Sequence, residues 1–198
     1  MSDINKLGVI ETIKDGFFIG VKNIGPILVN VILFIATCWI PYLNVGTVIG
    51  LSTGVITKAS RGEPIPMTEI FDPKYRKFMG EFFLTAGLMS VGISVGMVLF
   101  VIPGFVIALA WSLALLLVVD KGKNPTEAIS LSNNLTYGNK WRMFAVIFLP
   151  MLVFCIIIAI LVNIPVVGWL FVVILYLFMI FVMIGIEASI YKKLASGV

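Results

Sequence analysis

Glu81 and Glu187 stand at the edges of long uncharged apolar stretches, and an ionisable residue inside lipid is by default a candidate functional group. Lys77 lies shortly before Glu81 and Lys192 shortly after Glu187, so an interfacial ion pair or plain solvation is the competing account of both. No second acid, arginine or histidine inside an apolar stretch completes a proton relay, and the chain has no histidine anywhere. That removes the commonest general base and metal ligand. Ser52, Ser90, Ser94 and Ser112 offer hydroxyls in apolar surroundings, but a serine nucleophile needs an adjacent base, so helix packing is their expected role. The spacings HExxH, CxxC and GxSxG and the Walker glycine loop are absent. Cys38 and Cys155 each sit inside an apolar run and make no disulfide scaffold. The expectation is a chain that is not an enzyme, with no metal and no cofactor.

The elements that must position these groups are written in the charge pattern. Of 198 residues, 60% are hydrophobic and 12% charged, against roughly 45–50% and about 25% for a soluble domain. Mean hydropathy is +1.12, which makes lipid the main solvent. All 14 basic and 10 acidic residues fall in four blocks, 1–22, 58–81, 120–142 and 187–198. Each of the three uncharged stretches between them exceeds one membrane helix of about 20 residues and approaches two. Near their centres stand Pro41, Pro103 and Pro165, each following an isoleucine. Proline lacks the amide hydrogen and disfavours helix just before it, so each pair reads as a hairpin turn.

The expected fold is therefore all-α: a polytopic integral membrane protein with six transmembrane helices, roughly 24–41, 44–60, 76–101, 104–119, 141–162 and 166–191, arranged as three Pro-turn hairpins. A hairpin returns the chain to the side it left, which gathers all charge on one face. Retention of Lys and Arg inside makes that face cytoplasmic, with both termini there. The acidic residues Asp3, Glu11 and Asp15 interrupt the opening segment, so it is not expected to be a secretory signal. The net charge of +4 is matched to anionic phospholipid headgroups and needs no nucleic acid.

The turn prolines are equally spaced, and so are Glu11, Glu69 and Glu127. Each glutamate precedes a polar-to-apolar transition, which implies a single membrane domain built as a threefold internal repeat, about 1–62, 63–124 and 125–198. Three amphipathic segments join it. In the first, Ile4, Leu7, Ile10, Phe17 and Val21 form an apolar stripe expected to lie along the interface. The second starts at Asp72-Pro73, a capping acid and a first-turn proline, with Lys74, Arg76 and Lys77 as a phospholipid anchor. The third has Asn124 as cap, Pro125 at the start and Glu127 in the first turn, with Gly138 as the stop.

Gly46, Gly50 and Gly54 recur at four-residue steps, as do Gly92 and Gly96. Small residues at this spacing let membrane helices approach closely; the contact is either within one chain or between subunits of a homo-oligomer. The first hairpin raises a length problem, because each arm spans only about 23 Å against a hydrocarbon core of about 30 Å. Local thinning, snorkelling by Lys22 and Lys58, or an intramembrane wedge would each resolve it.

Pro103-Gly104, Asp120, Glu127-Ala128 with Ser130 and Ser132, and Gly138 with Lys140-Trp141 form a pattern that resembles the YciC-like bacterial polytopic proteins of unknown function, which are related to the membrane domain of some glycerophosphodiester phosphodiesterases. The segment around Arg61 and Glu69 is similar one unit earlier. The resemblance covers about half the chain and implies a six-helix inner-membrane protein, in a bacterium or archaeon, without transferring any catalytic residue. The functional expectation is a self-associating, lipid-bound protein that organises or shapes the bilayer. The alternative is a transport or channel subunit for a small solute, ion or lipid.

Overall fold

A computed structural model describes residues 6–164 and 167–197. Every regular element among them is helical: α1 (Val9–Lys22), α2 (Ile24–Thr37), α3 (Pro41–Ile49), a π-helical segment (Gly50–Gly54), α4 (Val55–Arg61), a 3-10 turn (Glu69–Phe71), α5 (Lys74–Lys77), α6 (Met79–Leu99), α7 (Val101–Trp111), α8 (Ala114–Lys121), α9 (Pro125–Thr136), α10 (Lys140–Leu161) and α11 (Val167–Leu194). Four helical runs are long and apolar enough to cross a membrane: α6, the α7–α8 run, α10, and Gly168–Leu194 of α11. A fifth is reached only if α1 and α2, bent by 71° to each other, count as one.

Local chemistry explains most boundaries. Asn124 accepts a hydrogen bond from the Glu127 amide at 3.0 Å and starts α9, with Pro125 at its first position. Gly62 and Gly122 end α4 and α8 in the left-handed conformation, at φ 71° and 61°, where a side chain would be strained. Asp72 accepts from the Lys74 amide at 3.0 Å, but the helix it opens is α5, four residues long. A break at Phe78 then separates it from α6.

The three expected turns fare differently. Pro41 begins α3 after a short turn, as a first-position proline should. Pro103 does not form the second turn. The chain turns at Phe100, whose φ of −156° and ψ of 131° are extended, and Pro103 is the third residue of α7. An amide there has no partner within the helix, so proline costs nothing. Pro165 lies outside the described residues.

The first third of the chain differs most from two plain crossings. Helix α1 runs antiparallel along the C-terminal half of α11 with Thr12, Gly16 and Gly20 buried. A Cβ at Gly16 would sit 2.6 Å from the Ile186 Cα, and Gly185 meets the Gly16 and Gly20 backbone in return. The apolar stripe expected on the interface is turned outward at Ile10, Phe17 and Val21, while Leu7 is buried. Helix α2 is only 14 residues long, about 21 Å.

All four charged blocks meet at one end of the bundle. Lys193 pairs with Glu11 at 2.9 Å and Asp15 at 3.0 Å. Arg61 pairs with Asp120, which also accepts a hydrogen bond from the Tyr191 hydroxyl at 2.7 Å. Arg142 donates to the Leu7 carbonyl at 3.0 Å, and the Leu7 amide donates to Asn139 at 2.9 Å. These links join the ends of α1, α4, α8, α10 and α11.

Candidate functional site

The segment between α4 and α6 is a folded part of the core. Ile65, Ile70 and Tyr75 are buried, and each such side chain stabilises by about 1.5–3 kcal/mol. Asn30, in the middle of α2 and fully buried, ties the segment down: its amide donates to the Pro66 carbonyl at 2.9 Å and its oxygen accepts from the Ile70 amide at 3.1 Å. Glu69 is buried between Lys58 at 2.7 Å and Lys74 at 3.1 Å and accepts from the Tyr75 hydroxyl. Burial pushes its carboxyl up, but the hydrogen bonds from Lys58, Tyr75 and Lys74 outweigh burial and leave it below the ordinary value. The same burial and the same carboxylate push the Tyr75 phenol up.

This segment also fills the glycine stripe. At Gly46 a Cβ would meet the Arg76 side chain at 3.3 Å, at Gly50 the Ile70 backbone at 2.7 Å, and at Gly54 the Tyr75 ring. Gly92 faces Trp111, and Gly96 faces Gly104 at 3.0 Å. All five glycines are thus occupied by their own chain. Arg76 reaches further still, lying over the Tyr42 ring at 4.5 Å and donating to its hydroxyl at 3.2 Å.

Among the described residues three polar side chains stand out as unanswered: Asn44 and Ser189, each with a buried oxygen that has no partner, and Glu187. Glu187 is half-buried on α11 and has neither an ion-pair nor a hydrogen-bond partner among the described residues. It faces two cavities that share Ser112 and Glu187 in their walls. The larger, about 370 Å³, lies against Phe34 of α2, Leu51 and Ser52 of the π-helical segment, Leu115 of α8 and Ile184 of α11. The smaller, about 230 Å³, lies against Met143 and Ile147 of α10 and Met183 of α11. No lysine or arginine lines either one.

Two departures from regular α-helix border the larger cavity. One is the π-helical segment, where Ser52 donates to the Val48 carbonyl at 2.7 Å. The other is the break between α7 and α8 at Ser112-Leu113. There α9 repairs the ladder: the Ser132 hydroxyl accepts from the Leu113 amide at 3.2 Å and donates to the Ala110 carbonyl at 2.8 Å, and Thr136 adds a second bond to Ala110 at 3.2 Å. Irregular backbone at membrane depth survives only where protein or a cavity surrounds it, and π-bulges gather at functional sites.

The structure separates the two carboxylates singled out in the sequence. Glu81 is exposed in the first turn of α6, whereas Glu187 is drawn inward. Ser112 and Ser52 join Glu187 around the cavities; Ser90 lies on α6 and donates to the Ala86 carbonyl. Asn30 and the Gly16–Gly20–Gly185 contact were not singled out, and Ser132 entered only as part of the family-like pattern, without this structural role. The four-residue step from Gly16 to Gly20 was the one visible signal of the glycine contact.

Comparison of the chain with protein-family models, with curated proteins and with solved structures returned no match.

Proposed function

We propose that this chain is a non-enzymatic integral protein of a bacterial or archaeal cytoplasmic membrane that binds a small solute or lipid in the cavity faced by Glu187, as a transport or binding subunit. The observation that carries this reading is an unpartnered carboxyl group set in apolar walls beside a π-helical segment and a broken helix. A charge in such surroundings is costly to keep and marks a binding or conduction site, and interrupted helices are where membrane transporters place their ligands.

The topology belongs to the same proposal. Four crossings, α6, α7–α8, α10 and α11, account for the geometry better than six. Tyr42 at the tip of the first hairpin touches Arg76, three residues before α6 starts, so tip and charged segment share one level. The first hairpin then enters from the cytoplasmic side without crossing, and covers the cavity. Both termini remain cytoplasmic, with the basic rim against anionic headgroups. The threefold repeat is retained in this reading as ancestry, supported by Pro41 and Pro103 both lying in the first turn of an outgoing helix. Kinship with the YciC-like group adds the compartment and no activity.

A second reading, the self-associating bilayer organiser, is favoured by one observation: the hairpin and the charged rim load a single leaflet. Its subunit contacts would use the outward faces of α10 and α11, because the glycine faces are taken. Native mass spectrometry of protein released from lipid nanodiscs tests both. A monomer retaining a small bound mass, lost in Ser112→Phe, is the expected result. An empty cavity in a large homo-oligomer carrying bulk phospholipid would overturn the first reading in favour of the second.

A further inference from the structure

We infer that the ligand of this cavity is a single-chain amphiphile bearing a protonated amine or other monocation, its head at Glu187 and its tail between α2, the π-helical segment and α8. The inference rests on the cavity being a binding site and goes on to name what enters it. Three features of the site select that chemistry.

The first is charge. A carboxyl group without a hydrogen-bond donor in an apolar wall either takes up a proton or is answered by a cation; among the described residues no lysine or arginine lines either cavity, so a cationic head is what would hold it ionised. The nearby hydroxyls do not compensate, because Ser52 and Ser112 spend their protons on Val48 and Leu109 at 2.7 and 3.0 Å. Their oxygens stay able to accept, so two acceptors and a carboxylate converge on a donor-rich head. An anionic head finds nothing to bind there.

The second is shape and lining. At about 370 Å³ the larger cavity is near the lower end of the roughly 300–1,000 Å³ of small-molecule sites. It admits one short chain or a small ring system and excludes a two-chain phospholipid. Phe34, Leu51, Leu115 and Ile184 give the chain an apolar sleeve.

The third is access. Glu187 lies six residues, about 9 Å of helix, from Lys193 at the charged rim. An amphiphile resting in the cytoplasmic leaflet carries its head at that depth, so it reaches the site sideways beneath the first hairpin without leaving lipid.

The experiment uses three photoreactive single-chain probes of equal length, an amine, an alcohol and a carboxylic acid, on the full chain in phosphatidylcholine nanodiscs, with labelled residues mapped by mass spectrometry. The amine is expected to label the wall around Phe34, Leu51 and Leu115 about tenfold or more above the other two, the margin a charge-assisted hydrogen bond provides. Glu187→Gln should remove that preference, Glu187→Asp should retain part of it, and the exposed Glu81→Gln should leave it intact. On the unaltered protein, unlabelled dodecylammonium should displace the amine probe, which gives the result without any variant. Equal labelling of the same wall by amine and alcohol, unaffected by Glu187→Gln or by the competitor, would overturn the cationic assignment and leave the cavity reading standing. Labelling by no probe above the level on the lipid-facing side of α10 would overturn both.

Discussion

Glu69 shows how the segment between α4 and α6 is held in place by buried charge. Its carboxyl is kept below the ordinary 4.5 by Lys58, Tyr75 and Lys74 against the opposing effect of burial. A group with a depressed folded value stabilises the fold fully above the unfolded value and loses that contribution as pH falls through the folded one. Acidification below about 4.5 should therefore loosen the 62–77 segment first. In Glu69→Gln, the thermal midpoint in detergent should fall at neutral pH by the equivalent of about 1–3 kcal/mol, less than the 3–5 of a fully buried pair because both lysines are partly solvated. The difference from the unaltered chain should shrink toward pH 3; a constant difference would remove Glu69 as its source. Asp72, lowered by Lys74 against the same burial effect, pulls in the same direction, which is why the comparison is between the two chains and not between two pH values. At this scale the sequence was legible in types and not in partners. It marked Glu187 by its place at the edge of an apolar stretch, but the absence of a partner is a fact of packing. Asn30 carried no visible signal at all, since one amide among apolar residues looks the same whether it anchors a loop or faces lipid.

At the scale of elements, composition located the apolar stretches while proline misplaced one turn. Pro103 was read as a helix breaker, yet a proline in a first helical turn breaks nothing, and the turn moved back to Phe100. What lies close against Gly50 and Gly54 is a folded loop rather than a helix. The break between α7 and α8 could not be read, because Ser112-Leu113 contains neither proline nor glycine and exists only because Ser132 and Thr136 of α9 satisfy the freed backbone groups. That dependence is testable. Ser132→Ala leaves the buried Leu113 amide without its acceptor, which should cost about 1–3 kcal/mol in thermal or denaturant unfolding. Ala110 keeps the Thr136 hydroxyl, so Ser132→Ala combined with Thr136→Val should exceed the sum of the single effects by the cost of the second orphaned group. Strict additivity would mean that the break is held by packing, not by these bonds.

For the whole molecule, the sequence made legible which stretches are apolar enough to enter a membrane and not the direction each takes, because hydropathy measures apolar length and is blind to direction. A crossing hairpin puts its tip some 30 Å from the charged rim, whereas the Arg76–Tyr42 contact puts the first tip beside it. The start of α1 is bound to Lys193 and the middle of α2 to Pro66 and Ile70, so the bent α1–α2 pair is tied to the rim at one end and to the 62–77 segment in its middle. A background with Cys38 and Cys155 replaced by serine separates the topologies. In it, Trp39→Cys and Phe100→Cys place single thiols at two highly exposed positions, 82% and 73%. With four crossings, an impermeant maleimide should label the Phe100 position in intact cells and the Trp39 position only in inside-out vesicles. Labelling of both from outside would restore six crossings. It would also close the lateral route to Glu187, because a hairpin that spans the bilayer no longer leaves the cytoplasmic leaflet open beneath it.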